Sequence, residues 1–243
     1  MEDSVKVLIA ITTWTTGATN GENQAMRDTF LKDVPKFPGL EYRFFLGDGN
    51  PTGEDETFLN SSYQQVLAAH GDKYDRRAPL AHVDYTLKSD ETFIHTPDDF
   101  KHNCYKTKGS RRWAEERGFD FVFQCTSDTY IDIPRLMASG FEDYDYVGYP
   151  EGIYARGGNG YWTSRKASQL FMNEPVTIWA EDWWVGTLLT QKGVLLHPDK
   201  RYEEFPNVPQ PHNELIASHL GYPDYMIQRM YDVYEGLIAC STH

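Results

Sequence analysis

The run Phe119–Pro134, FDFVFQCTSDTYIDIP, carries a short apolar strand into a turn of small polar and acidic residues between Thr126 and Asp132. Phe and Val in a run of this length read as a strand buried on both faces. Polar groups gathered at the carboxyl end of such a strand stand where open α/β sheets place ligands. Asp128 supplies a hard oxygen there, and a divalent ion held by one or two protein carboxylates keeps coordination sites open for phosphate oxygens. The turn is therefore a candidate metal or phosphate site, with an ordinary Asp- and Ser-rich turn as the alternative.

The 243 residues, 40% of them apolar, suffice for one large domain or two small ones with a core that needs no staple. Lys and Arg total 23 against 36 Asp and Glu, a formal charge of −13. No whole-molecule field then draws in nucleic acid or an anionic membrane. A polyanionic partner would need a local basic patch, and two segments offer one: Lys73, Arg76 and Arg77, and the stretch Lys101, Lys106, Lys108, Arg111 and Arg112. Both also fit solvated faces. Cys104, Cys125 and Cys240 are odd in number and lack paired spacing, which argues against a disulfide framework and fits a reducing compartment. Met1 to Ser4 is polar, and Val5–Ile11 is too short for a secretory signal or a membrane span. The expectation is a soluble, cytoplasmic chain of viral or bacterial type.

No internal repeat or low-complexity linker interrupts the chain, and strand and helix patterns alternate. Strands are expected at Lys6–Thr12, Tyr42–Leu46, Phe119–Cys125, Tyr144–Tyr149, Tyr161–Thr163 and Val194–His197. Helices are expected at about Asn23–Leu31, Glu54–His70, Asp98–Arg117, Pro134–Ser139, Ser164–Met172, Glu181–Gln191 and Asp224–Tyr234. The alternation predicts one layered α/β domain over residues 1–243 with a mostly parallel central sheet. Its order gives a nucleotide-binding half up to about residue 130 and an acceptor half from about 131 to 243.

Two further motifs carry chemistry. In WAEDWWVG, Trp179–Gly186, Glu181 and Asp182 open a predicted helix whose macrodipole favours a carboxylate, while Trp183 and Trp184 provide apolar walls that raise its pKa. Such an acid can take a proton from an attacking hydroxyl, and aromatic faces beside it suit a sugar ring. Favourable acids at an ordinary helix start are the alternative. In GGNGYWTS the amides of Gly157, Gly158 and Gly160 leave room for a diphosphate or a sugar, or mark a simple bulge or hairpin. The loop is neither a P-loop nor a dinucleotide fingerprint.

Taken in order, these pieces resemble the beta-1,3-glycosyltransferase family that includes the Fringe proteins, glycosyltransferase family 31. Arg27-Asp28-Thr29-Phe30 is similar to its R-x-T-W segment and Phe45-Leu46-Gly47 to its F-L-x-G strand end. Asp99-Phe100, Asn103 and Lys106 stand where the family has D-F…N-L-T-x-K, at a shortened spacing. Thr126-Ser127-Asp128 falls on its D-D-D motif, and Tyr130-Ile131-Asp132 on the F-V-N that follows. Tyr154 to Ser164 is similar to Y-x-x-G-x-G-Y-x-x-S, Glu181-Asp182 with Gly186 to E-D-V-x-x-G, and Ala217-Ser218-His219 with Pro223 and Met226 to its late histidine block.

The resemblance implies a GT-A-like three-layer sandwich, a UDP-sugar donor, Mn2+ or Mg2+, and inverting transfer to a hydroxyl acceptor, a glycan first among them. Carried over by position, Asp128 and His219 are metal ligands, with His197 and His212 as rivals for the histidine. Asp182, with Glu181 beside it, is the catalytic base. Thr12, Thr13, Arg27, Lys106, Ser127, Asp128, Gly158 and Gly160 bind the donor, Trp14 offers a stacking ring, and Arg27 either contacts phosphate or pairs with a nearby acid. Two departures stand out: Thr126 and Ser127 replace the first two acids of the triplet, and the family's luminal cysteines and membrane anchor are missing. Three other readings remain open. They are a transferase acting on hydroxymethylated pyrimidines in viral DNA through Lys101–Arg112, a binding module without catalysis, and a nucleotidyltransferase on a related sheet.

Overall fold

The computed structural model describes residues 5–70, 84–203, 214–221 and 223–236. The cluster Lys73–Arg77, Cys240, His212 and the Pro-rich loop from residue 204 onward lie outside the described residues. From the amino end the elements are β1 (Val7–Thr12), α1 (Thr15–Asn20), α2 (Glu22–Asp28), a 3-10 segment (Phe30–Lys36), β2 (Leu40–Gly47), α3 (Thr57–His70), β3 (Glu91–Ile94), α4 (Asn103–Glu116), β4 (Phe121–Thr126) and β5 (Thr129–Ile131). Then come α5 (Ile133–Met137), β6 (Tyr146–Gly148), β7 (Pro150–Glu151), β8 (Tyr154–Ala155), β9 (Tyr161–Ser164), α6 (Arg165–Phe171), α7 (Glu181–Gln191), β10 (His197–Pro198), β11 (Ala217–His219) and α8 (Pro223–Tyr234).

Seven strands form one sheet in the order β10-β6-β9-β4-β1-β2-β3. It is parallel except for β9, which runs antiparallel to both neighbours. β4 is the middle strand and β1 lies beside it, an interior place that suits VLIAIT, apolar on both faces. Val7, Ile9 and Ile11 face one helical layer with Met26, Phe30 and Leu136, whereas Leu8 and Ala10 face the other with Phe45, Val122 and Ala114. The period of two that sets these faces holds across the sheet, since Trp162 joins the first core and Tyr161 the opposite side. Apart from β1, β2 and β3 on one flank, the chain returns through α4 to place β4 on the other flank of β1. That reversal opens a crevice at the carboxyl ends of β1 and β4, where Thr12 and Thr126 are register partners.

Several expected boundaries move. The helix expected from Asp98 begins at Asn103, because Asp98 is drawn into a loop contact described below. The helix expected at Asn23–Leu31 covers Glu22–Asp28, with α1 before it and a 3-10 segment after it. The strand expected at Val194–His197 shrinks to His197–Pro198, and Leu195 is 72% exposed, so its apolar run is not a buried one. β3 escapes the pattern because ETFI is a short edge strand with mixed polarity. α7 spans Glu181–Gln191 as its pattern predicts.

One buried ion pair ties the carboxyl edge together. Lys106 Nζ lies 2.9 Å from Asp98 Oδ1, and both side chains are shut away from solvent. The same aspartate accepts the Thr15 N–H at 2.6 Å and the Gly47 N–H at 2.9 Å, while Lys106 donates to the Thr13 carbonyl at 2.8 Å. The loops after β1, β2 and β3 are thus all fastened to α4. Breaking a buried pair strands a charge at a cost of about 3–5 kcal/mol. Asp98→Ala also orphans two backbone N–H groups, whereas Lys106→Met leaves Asp98 with both donors. Urea denaturation is expected to show Asp98→Ala as clearly the more destabilising of the two.

Candidate active site

A small cleft lies in the crevice at the ends of β1 and β4, lined by Thr12, Asn103, Thr107, Gln124, Thr126 and Glu181 among others. Hydroxyls, amides and one acid make its walls, and no cationic side chain lines it. Strand ends supply Thr12, Gln124 and Thr126, the first turns of α4 supply Asn103 and Thr107, and the start of α7 supplies Glu181. Asn103 is 7% exposed and its Oδ1 has no hydrogen-bond partner.

On one side of the cleft stands the β4–β5 turn. Asp128 Oδ1 accepts the Thr126 hydroxyl, and its Oδ2 lies 3.0 Å from His219 Nε2. The pairing of β5 with β11 sets Thr129 opposite His219 and so brings the late histidine to the turn. At 3.0 Å the Asp128 carboxylate and the His219 imidazole are hydrogen-bonded to each other. Of the two donors, the carboxylate suits Mn2+ or Mg2+, and the imidazole suits a transition metal better than Mg2+. The described residues hold no group of three or more metal-ligating side chains. Ser127 does not face a ligand directly; its Oγ donates to Glu22 Oε2 at 2.7 Å.

On the other side stand the two acids. Glu181 Oε1 accepts from Thr107 Oγ1 at 2.9 Å and from the Tyr161 hydroxyl. Burial, and then the neighbouring Asp182 charge, push the Glu181 carboxyl up to about 7. Asp182 is also raised, by burial first, but its Oδ2 accepts the Gly157 N–H at 2.9 Å and its Oδ1 the Trp183 N–H at 2.8 Å, both of which favour the ionised form. The two acids differ in their contacts: the Glu181 carboxyl meets two hydroxyl donors, whereas the Asp182 carboxyl meets two backbone N–H groups. Trp184 is fully buried in the core, whereas Trp183 is 45% exposed beside Asp182.

The remaining residues singled out in the sequence take other places. Arg27 binds Asp90 through Nε at 2.7 Å and Glu91 through Nη2 at 2.6 Å, the acid-pairing alternative, with its guanidinium over Phe44. Lys106 reaches no cleft; it holds the Thr13 carbonyl from beneath. Thr13 is buried and donates to Asn23 Oδ1 at 2.8 Å. Gly158 packs on the His219 ring, where a Cβ would come within 3.1 Å. Gly160, at φ +82°, lies over Phe123, where a Cβ would stand 2.2 Å from the ring. Close packing and a positive φ require glycine at 160 and leave little room at 158, and the loop brings Gly157, not Gly160, to the cleft. His197 is stacked on Tyr144 and so lies with β10 at the sheet edge.

The basic stretch Lys101–Arg112 is not a surface patch. Lys106, Lys108 and Arg111 are buried by the packing of α4 on the sheet, and Lys108 is paired with Glu54 at 2.9 Å. Asn103, Thr107, Gln124 and Tyr161 are the site residues whose role the sequence reading missed. The signal for Gln124 was present, as a lone amide inside the apolar strand FVFQCT.

Among solved structures, the chain is similar to a glycosyltransferase involved in the glycosylation of the major capsid of PBCV-1, with a TM-score of 0.50 at 9% identity over 93% of this chain and 99% of that one. It is also similar to the inositol-1-phosphate CTP transferase from T. maritima, with a TM-score of 0.45 at 11% identity over 97% and 99% of the two chains. No family model and no curated protein matches the sequence. At such identities the likeness concerns the fold: a mixed α/β, GT-A-like arrangement of a mostly parallel seven-stranded sheet flanked by helices. The comparisons support a glycosyltransferase-like fold without singling out the beta-1,3 family. Among the described residues no helix is long and apolar enough to cross a membrane.

The raised Glu181 carboxyl has a consequence for stability. Its folded pKa of about 7 lies above the unfolded value of 4.5. The stabilising contribution is therefore full below pH 4.5 and is lost as pH rises through 7. Glu181→Gln removes the ionisation while keeping an acceptor for Tyr161 and Thr107. Thermal unfolding is expected to show the variant gaining about 2–4 °C over wild type at pH 8 and nothing at pH 4.

Proposed function

We propose that the chain is an inverting glycosyltransferase that moves a sugar from a UDP-sugar to a hydroxyl acceptor, with a glycan as the acceptor class. The observation that carries this reading is the cleft itself. Its neutral hydroxyl and amide walls suit a sugar, and it is flanked by the Asp128–His219 pair on one side and the Glu181–Asp182 pair on the other. Asp128 and His219 would hold Mn2+ or Mg2+, which when bound neutralises charge on a leaving diphosphate.

The chain's own residues supply the remaining steps. Asp182, whose ionised form the Gly157 and Trp183 amides favour, takes the proton of the acceptor hydroxyl. The acceptor oxygen forms its bond to the anomeric carbon on the face opposite the diphosphate, the bond to the diphosphate oxygen breaks, and configuration inverts. The Glu181 carboxyl, raised to about 7 by burial and by Asp182, lines the cleft as a partner for sugar hydroxyls. Trp183, exposed next to the base, offers an aromatic face to the acceptor.

On the described residues we take a DNA acceptor as the weaker alternative. It would need several free cations for phosphate contacts. Lys106 and Arg111 are buried, and on the acceptor side Arg156 is paired with Glu151, Arg165 with Asp120, Lys166 with Asp145 and Arg201 with Asp199.

Release of UDP from a panel of UDP-sugars with Mn2+ tests the reaction class. Asp128→Ala is expected to abolish metal-dependent donor binding while the fold survives, and wild-type turnover in excess chelator would refute the metal. Asp182→Asn is expected to lower turnover by roughly 10² or more with donor affinity unchanged. If Glu181→Gln shows that pattern and Asp182→Asn does not, the base is assigned to the wrong acid. Sugar transfer to hydroxymethylpyrimidine duplex DNA but not to simple glycosides would replace the glycan acceptor.

A further inference from the structure

Behind the cleft lies Arg111, 1% exposed on α4, with no ion-pair partner among the described residues. Its Nη1 donates to Gln124 Oε1 at 2.9 Å, and its Nε donates to Thr163 Oγ1 at 3.2 Å. A guanidinium is donor-only and cannot lose its proton in a protein, so the Gln124 amide has one allowed orientation. Its oxygen faces Arg111 and its NH2 faces the cleft side, donating to Thr12 Oγ1 at 2.6 Å. Thr12 accepts that bond, which leaves its own O–H to point elsewhere.

The other hydroxyls of the cleft are already committed. Thr107 donates to Glu181, and Thr126 donates to Asp128. Thr12, 2% exposed, is the lining hydroxyl whose proton meets no acceptor among the described residues. Asn103 Oδ1 lines the same cleft as a buried acceptor without a donor. A donor and an acceptor, each buried and unmet in one small cleft, call for a group that is both acceptor and donor, and burial makes leaving them unmet costly. A hydroxyl is such a group.

We propose that Arg111 and Gln124 are positioning residues that fix Thr12 as a hydrogen-bond donor, and that Thr12 and Asn103 together bind one hydroxyl of a sugar ring in this cleft. The inference deepens the glycosyltransferase reading and rests on it. The sugar is either the ring being transferred or the ribose of the nucleotide.

Gln124→Glu is the decisive variant. A carboxylate there still accepts from Arg111 and fills the same space, but its second oxygen can only accept, so it captures the Thr12 proton and turns Thr12 away from the ligand. Thr12→Val removes the hydroxyl, and Thr12→Ser keeps it. Binding of UDP and of the tightest among UDP-glucose, UDP-galactose and UDP-N-acetylglucosamine would be measured by calorimetry with Mn2+. Gln124→Glu and Thr12→Val are expected to weaken the UDP-sugar by about tenfold, with Thr12→Ser close to wild type. A loss confined to the UDP-sugar assigns the transferred ring, and an equal loss for UDP assigns the ribose. Unchanged binding in both weakening variants, or a loss in Thr12→Ser equal to that in Thr12→Val, overturns the proposal. Should Gln124→Glu not fold, the Thr12 pair decides alone. A wild-type protein that binds neither UDP nor any UDP-sugar refutes the glycosyltransferase reading itself, which separates that failure from failure of this site.

Discussion

The carboxyl edge of the sheet depends on the buried contact between Lys106 and Asp98. Parallel strands end in loops that have no hairpin partner to hold them, so some other device must fix where Thr12, Thr13 and Trp14 stand. Here a single aspartate accepts from the loops after β1 and β2 while its lysine partner holds the Thr13 carbonyl. Burial pushes the Lys106 ammonium down and Asp98 pulls it up. An apolar pair of the same volume could offer comparable stability, but it could not accept two N–H groups and donate to a carbonyl. The ion pair is retained for placement, and its benefit falls on the ligand crevice.

The same logic governs α4 as a whole. Its inward face carries Lys106, Thr107, Ser110 and Arg111, a composition that reads as solvent-exposed. Lys106, Thr107 and Arg111 are buried against Asp98, Glu181 and Gln124 in turn, while Ser110 donates to the Thr107 carbonyl and accepts from Arg111. The helix is therefore not a cover of apolar side chains over the sheet but a polar wall of the cleft. Arg111 adds positive charge beneath Glu181, which lowers that carboxyl against the larger effects of burial and Asp182.

How much of this was legible follows from what local pattern reports. β1, β4 and α7 were readable because an apolar run or a clean helix start is a property of neighbouring residues. The Asp128 turn and the Glu181–Asp182 pair were readable as candidate chemistry for the same reason. The fate of the basic stretch was not, since the partner of Lys108 lies 54 residues away and charge alone does not say which face of a helix turns inward. Arg27 shows the same limit: its salt bridges reach Asp90 and Glu91 across the sheet edge. The glycines of the loop were legible as a need for space, and Phe123 and His219 lie where their side chains would be.

The thinned acidic triplet has a structural counterpart that the linear motif conceals. Where the resembled family carries acids at its first two positions, this chain has Thr126 and Ser127, and each hydroxyl donates to a carboxylate: Thr126 to Asp128 and Ser127 to Glu22. Glu22 is buried on α2 and reaches the turn from a helix more than a hundred residues earlier in sequence. Negative charge at the turn is thus supplied by a distant side chain and oriented by the serine. Asp128 remains the acid set against His219. The folded turn therefore gathers two acids from distant elements, Asp128 and Glu22, each held by a hydroxyl of the turn.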